Sequence, residues 1–124
     1  MVDLLARGLH WLQNQRHRHL TQVLRYRRGT EERRVRATIG RTVFRLDLGH
    51  GITERIEARD YIITARKLRA FGDPKPGDQI IETKRGKRYT AEVMAPGGEP
   101  AWRWADADRR AYRIHTKHLR TEAL

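Results

Sequence analysis

The sequence predicts a mainly β protein, a small antiparallel β-barrel or sandwich with an N-terminal amphipathic α-helix. The spacing of apolar residues is helical near the N-terminus and becomes alternating after about residue 19. The alternating segments are short and are separated by glycine- and proline-rich turns, which is typical of antiparallel β domains. A chain of 124 residues holds one such domain. We therefore expect a helix over residues 1–19 and a single β-barrel-like domain over residues 20–124.

The predicted helix begins near Val2 and ends near Arg18. Leu5, Leu9 and Leu12 recur at helical spacing, so they share one face, and no proline interrupts the pattern. Acidic residues near a helix start and basic residues near its end complement the helix dipole, and both are found here.

About six to eight strands follow, each defined by alternation and by a turn signal at its end. Glycine ends the first strand and, twice within three residues, the strand that reaches residue 48. The two-proline segment over 72–78 and the Ala-Pro-Gly-Gly-Glu-Pro segment over 95–100 mark loops, and residues 66–71 form a short helical turn. A hairpin turns at residues 84–87. The predicted strands cover residues 21–27, 34–40, 43–48, 52–57, 60–65, 79–83, 89–94 and 111–118.

The positive charge is large and uneven. Lys and Arg number 27 against 15 Asp and Glu, which gives a formal net charge of +12. Residues up to Arg45 hold 11 basic and 3 acidic residues, a net +8, and the rest hold 16 and 12, a net +4. Arginine predominates, and its planar guanidinium binds phosphate and carboxylate bidentately. The charge therefore indicates contact with nucleic acid or with acidic protein neighbours.

Catalytic and metal chemistry find little support. The chain has no Cys, no Ser and no phosphate-binding glycine loop, so we predict that it is not an enzyme and needs no cofactor. The histidines lack the spacing of metal ligands, so we predict no metal site. No apolar run is long enough to span a membrane, and the first residues lack the long apolar run of a secretory signal, so we expect neither feature.

Two exposed features are candidates for binding. Lys84, Arg85, Lys87 and Arg88 place four cations around one hairpin turn, where they could reach phosphates. Trp102 and Trp104 share one side of an extended segment, either to stack bases or, as we favour, to pack against the domain.

The order of motifs resembles the head-tail joining, or head-completion, proteins of tailed bacteriophages. The resemblance runs from about residue 34 onward and rests on five segments. These are Ala-Arg-Asp-Tyr-Ile-Ile over 58–63, Pro-Gly-Asp-Gln-Ile over 76–80, Tyr-Thr-Ala-Glu-Val over 89–93, Ala-Pro-Gly-Gly-Glu over 95–99 and Tyr-Arg-Ile-His over 112–115.

The resemblance implies a structural ring below the portal that extends the DNA channel, retains packaged DNA and docks the tail. The partners would be further copies in a hexamer or dodecamer, a portal or adaptor, a tail-tube or tail-terminator protein, and double-stranded DNA. The protein would lie in the virion at the head-tail junction, after assembly in the host bacterial cytoplasm. A basic OB-like nucleic-acid-binding barrel, or another neck part such as an adaptor or tail terminator, is the alternative.

Site residues follow from this expectation. The predicted contacts with DNA in the ring lumen are Lys84, Arg85, Lys87, Arg88, His50 and Arg55. The predicted contacts with other subunits or partners are Leu5, Leu9, Trp11, Leu12, Arg25, Arg27, Arg28, Trp102 and Trp104.

Overall fold

A computed structural model describes residues 21–124 of the chain. The predicted helix over 1–19, with Leu5, Leu9, Trp11 and Leu12, lies outside the described residues. Two short 3-10 helices cover Ala65–Leu68 and Pro96–Gly98. The seven strands are β1 (Thr21–Arg28), β2 (Glu31–Gly49), β3 (Ile52–Thr64), β4 (Gln79–Lys84), β5 (Lys87–Val93), β6 (Trp102–Trp104) and β7 (Ala111–Ala123).

All strand pairs are antiparallel and form one sheet in the order β3-β2-β1-β4-β5-β7-β6. The antiparallel pair of β3 with β7 joins two positions of this order, so six strands pair in a closed cycle and β6 lies outside it, against β7. The mainly β, antiparallel prediction is confirmed. Whether the sheet is a barrel or a sandwich stays a prediction, and the cyclic pairing favours the barrel because β3 and β7 join the two ends of the six-strand order β3-β2-β1-β4-β5-β7.

Strands β2 and β3 are longer than the sequence predicts. Each combines two predicted strands, because the ladder continues without interruption through Gly40↔Asp60 and Thr42↔Ala58. Gly40 was interpreted as a strand end, but it lies within β2. A Cβ atom at this position would stand 3.1 Å from Nη2 of Arg113, so the small residue allows a guanidinium to approach the backbone.

The outer part of β2 and β3 forms an arm, which we define as residues 43–57. Within the described chain, this part of β2 pairs only with β3, and this part of β3 pairs only with β2. His50 has φ 52° at the tip, between Gly49 and Gly51, which also have positive φ. The arm therefore extends beyond the six-strand cycle.

The core lies on one face of the cyclic sheet. Facing residues such as Leu24 with Val35 and Tyr26 with Ile80 belong to adjacent strands and are nearly inaccessible to solvent. Burial of this many large apolar side chains is the main stabilising contribution. The largest fully buried apolar and aromatic side chains are Tyr26, Tyr61, Ile63, Leu68, Ile80, Val93 and Ile114.

Candidate functional site

A cleft of about 640 Å³ opens where β3 and β7 diverge. The two strands pair from Thr64↔Ala111 to Arg59↔Thr116, and the pairing stops there. Residues 57–59 of β3 and 116–118 of β7 belong to its lining. Strands β2, β4 and β5 and the β4–β5 turn contribute the other lining residues.

The cleft is positively charged. Its lining contains five Arg or Lys residues and two Glu residues, which gives a net charge of +3. The basic residues are Arg41, Arg59, Lys84, Arg85 and Lys117, and the acidic residues are Glu57 and Glu82.

Each of the two acidic residues forms an ion pair with an arginine of the lining. Arg59 donates to Glu82 from Nε at 3.1 Å and from Nη2 at 3.0 Å, and the Tyr61 hydroxyl donates to the same carboxylate. Burial and the neighbouring Glu82 carboxylate raise the pKa of Tyr61. Arg41 donates to Glu57 at 3.2 Å. Among the described residues Lys84, Arg85 and Lys117 have no ion-pair partner, so these three cations supply the unbalanced charge.

Thr90 also lines the cleft. Its side chain is 1% exposed, and its hydroxyl has no hydrogen-bond partner within the described part of the chain. A buried hydroxyl without a partner is unfavourable by about 1–3 kcal/mol, and such groups often mark a place that a ligand or water fills. The sequence offered no signal for this residue, because an alternating Thr in a strand is ordinary.

The structure separates the four predicted hairpin cations into two pairs. Lys84 and Arg85 line the cleft, whereas Lys87 and Arg88, at the start of β5, are not part of its lining. Arg85 has φ 52° and Gly86 has φ 75°, which is the conformation that a two-residue hairpin turn requires. Lys84, Arg85 and Lys87 are exposed, and Arg88 is half-buried.

The other predicted DNA contacts lie on the arm. His50 is exposed at its tip, and Arg55 is exposed on β3, where its Nη2 stands 3.8 Å from Oε2 of Glu57. The structure therefore does not bring these two residues onto the same element as the β4–β5 turn.

Arg28, a predicted interface residue, is used inside the chain. Its Nε and Nη2 donate to the Asp78 carboxylate at 2.8 and 2.7 Å, and Nη2 also donates to the Asp73 carbonyl oxygen at 2.9 Å. Nη1 donates to the carbonyl of Phe71, over whose ring the guanidinium stacks. Arg28 therefore fastens the loop over residues 72–78 to the end of β1.

Asp78 is the centre of that contact. The Tyr26 hydroxyl and the backbone N–H of Lys75 also donate to its carboxylate. Burial on its own raises the pKa of Asp78, but the hydrogen bonds from Arg28, Tyr26 and Lys75 outweigh it, so the pKa lies below its usual range. Burial and the neighbouring carboxylate raise the pKa of Tyr26.

The other two predicted interface arginines share one acidic neighbour. Arg27 donates to Oε1 of Glu32 at 3.0 Å, and Nη1 of Arg25 lies 3.9 Å from Oε2 of the same residue. Both pairs are partly exposed, so each contributes little to stability. Their role at an interface stays a prediction.

A second buried carboxylate, Asp60, joins the base of the arm to β7. It accepts hydrogen bonds from Nε of Arg113 at 2.7 Å and from the Thr42 hydroxyl, and Nδ1 of His115 lies 2.9 Å from its other oxygen. Burial opposes ionisation, but these hydrogen bonds outweigh burial and lower the pKa of Asp60. Arg113 also donates to the carbonyl of Arg41 at 3.1 Å, which fixes where the arm leaves the sheet.

Trp102 and Trp104 pack against each other and against Tyr112. The ring centroids of the two tryptophans are 5.0 Å apart, and Trp104 stacks on Tyr112 at 5.0 Å with an interplanar angle of 15°. Burial and a hydrogen bond to Asp73 raise the pKa of Tyr112 to about 12. Both tryptophans pack on the edge of the core and stay half-buried, which is the packing arrangement that the sequence favoured over base stacking.

The described residues contain no group of three or more side chains that could hold a metal ion. Among residues 21–124 there is also no helix that is both long and apolar enough to cross a membrane. The described residues thus form a basic β scaffold with partly buried ion pairs and an open cleft.

The sequence matches the sequence model of a known protein family. The model for phage head-tail joining proteins matches residues 2–123, and the chain belongs to that family. The family is one of structural proteins, and membership implies a component of the virion that contacts other head and tail proteins. No curated protein and no solved structure shows significant similarity to the chain.

Proposed function

We propose that the protein forms a homo-oligomeric ring in the neck of a phage or prophage particle, below the portal. The ring, a hexamer or dodecamer, extends the DNA channel, retains the packaged DNA and docks the tail. The observation that carries the proposal is the family match, which spans nearly the whole chain. The cyclic strand pairing supports a small barrel as the subunit of such a ring.

The β4–β5 turn is the proposed contact with DNA. Its four cations have no ion-pair partner within residues 21–124, so their charge is available to an external anion. In a ring each subunit presents the same surface to the axis, so a few cations per chain become a positive belt. Phosphate contacts do not depend on base sequence, which suits DNA that must pass through.

The arm, which carries His50 and Arg55, is the alternative site for the contact with DNA. We favour the turn because Arg55 already has Glu57 as a neighbour, whereas the turn cations have no ion-pair partner in the described part of the chain. The arm and the half-buried Trp102 and Trp104 on the outer strand β6 are the surfaces that we assign to neighbouring subunits. Half-buried aromatic side chains are common anchors of protein interfaces.

Replacement of all four turn cations tests the proposal. A phage carrying Lys84→Ser, Arg85→Ser, Lys87→Ser and Arg88→Ser should assemble particles of normal appearance but lose packaged DNA and infectivity. A matched control removes four exposed cations elsewhere, with Arg66→Ser, Lys67→Ser, Arg69→Ser and Lys75→Ser. Circular dichroism melting of both purified proteins checks folding. Equal DNA retention in the two variants would contradict the assignment of the turn.

Imaging of particles tests the ring itself. Electron microscopy of particles made without the protein, and after its addition, should show density gained below the portal and tails attached only with it. Density at the top of the tail instead would place the protein as a terminator, and density against the portal as an adaptor. A monomer that never joins particles but binds oligonucleotides in a salt-sensitive way would contradict the proposal and support the nucleic-acid-binding alternative.

A further inference from the structure

Two strand edges are unpaired on the sides of the cleft. Beyond Thr116, strand β7 has β5 on one side and no described strand on the other. Before Arg59, strand β3 has β2 on one side and likewise no described strand on the other. An unpaired edge presents backbone N–H and C=O groups that an extended chain can bind. The unpaired edges of β3 and β7 are therefore places where an additional strand can pair.

The positive charge of the cleft determines which charge an added strand must carry. Lys84, Arg85 and Lys117 belong to the lining and have no ion-pair partner within residues 21–124, and the lining as a whole has a net charge of +3. A second copy of this basic chain would bring like charge to the cleft, which disfavours it. An extended segment with several Asp or Glu side chains has the complementary charge.

The interior of the cleft adds a polar group. The unpartnered hydroxyl of Thr90, on a side chain that is almost fully buried, has a hydrogen-bonding capacity that the described residues leave unused. A peptide supplies both backbone and side-chain acceptors along its length. The unpaired backbone edges favour a peptide over a nucleic acid, because a nucleic acid carries phosphate but has no backbone amides with which to extend the sheet.

We infer that the cleft is a docking site for an extended acidic segment of a neighbouring protein, which adds as a strand to the free edge of β7 from Lys117 onward. The inference rests on the proposed function only in that the neighbour is another assembly protein of the particle. On this inference Lys84 and Arg85 bind the protein segment, and the DNA contact of the proposed function is left to Lys87 and Arg88, which lie outside the cleft lining.

A synthetic peptide tests the strand addition directly. The probe is an acetylated peptide of eight residues in which Glu alternates with Val or Thr, added to the full-length protein. Fluorescence anisotropy should show saturable binding, and hydrogen exchange should show new protection at residues 117–123. The same peptide with alternate backbone nitrogens methylated keeps every charge but loses one edge of donors. It should bind at least about tenfold more weakly, because each lost hydrogen bond contributes about 1 kcal/mol.

Charge reversal is the second part of the experiment. The triple variant Lys84→Glu, Arg85→Glu and Lys117→Glu should weaken peptide binding at least about tenfold, since each exposed charge pair contributes up to about 1 kcal/mol. The matched control is Arg66→Glu, Lys67→Glu and Arg69→Glu, which changes the net charge equally on exposed residues away from the cleft. The control should bind the peptide normally.

Two outcomes would overturn the inference. Equal binding of the methylated and unmethylated peptides would show attraction by charge alone, without strand addition. Binding of an oligothymidylate of the same net charge in preference to the peptide would make the cleft a nucleic-acid site. If peptide binding fails while the protein still enters particles and retains DNA, the docking inference is wrong and the proposed neck function stands.

Discussion

Asp60 offers the sharpest test of how the arm is held. Its side chain is fully buried and receives three side-chain contacts, from Thr42 on β2 and from Arg113 and His115 on β7. Asp60→Ala removes all three and leaves buried donors without an acceptor. Loss of one partner of a buried pair costs about 3–5 kcal/mol, and the partial exposure of Arg113 lets water recover some of this. We expect the free energy of unfolding to fall by about 3–4 kcal/mol.

Asp60→Asn should have a smaller effect, about 1–2 kcal/mol, because the amide oxygen still accepts from Arg113 and only the charge-assisted part of the bond is lost. Urea unfolding followed by circular dichroism measures both changes. For a domain of this size, they correspond to lower melting temperatures by roughly 4 °C per kcal/mol. Glu57→Gln, which breaks the exposed pair with Arg41, is the control and should stay within about 0.5 kcal/mol.

A double-mutant cycle then isolates the ion pair. With Arg113→Met as the second substitution, Asp60 and Arg113 should show a coupling free energy of about 1–2 kcal/mol. Coupling near zero, or an Asp60→Ala protein as stable as the wild type, would refute the reasoning that this carboxylate holds β2, β3 and β7 together.

Two further predictions concern pH and packing. Asp60 and Asp78 both have lowered pKa values, so their stabilisation is present above pH about 4 and is lost as the pH falls through those lowered values. The stability difference between wild type and Asp60→Asn, Asp78→Asn should therefore shrink in urea titrations from pH 6 down to pH 2, and a constant difference would contradict it. Gly97→Ala should destabilise the protein by about 1–3 kcal/mol, because φ is +53° and the new Cβ would overlap the side chain of Leu46. Leu46→Ala in the same chain should remove part of that penalty; no change would show that Leu46 is not the obstacle.

The sequence predicted the turns better than the strand lengths. The hairpin at residues 84–87 and the first strand agree with the structure to within about two residues, because Gly29 and Gly86 are required locally by positive φ. The same reasoning failed at Gly40, where the glycine allows Arg113 to approach and β2 continues through it. A residue more than 70 positions away set that outcome, and no local pattern contains it.

The candidate site was also only partly predictable from the sequence. The concentration of cations at the β4–β5 turn was evident from the sequence, but only the fold shows that Lys84 and Arg85 line a cleft and that Lys87 and Arg88 do not. No sequence pattern indicated that the guanidinium of Arg28 binds Asp78 and two carbonyl groups, and the role of Arg28 at an interface stays a prediction. Exposure and charge can be estimated from composition, but the identity of a partner cannot.

By itself the sequence determined an antiparallel, mainly β protein with strong positive charge, because alternation, turn chemistry and net charge are properties of neighbouring residues. The tertiary structure decided the cyclic pairing, the arm, the cleft and which arginines are neutralised. The deciding contacts join residues far apart in the chain, 50 positions for Arg28 with Asp78, 23 for Arg59 with Glu82 and 53 for Arg113 with Asp60. Such contacts form only once the strands have paired, since burial then leaves each carboxylate a single cation that can stabilise it.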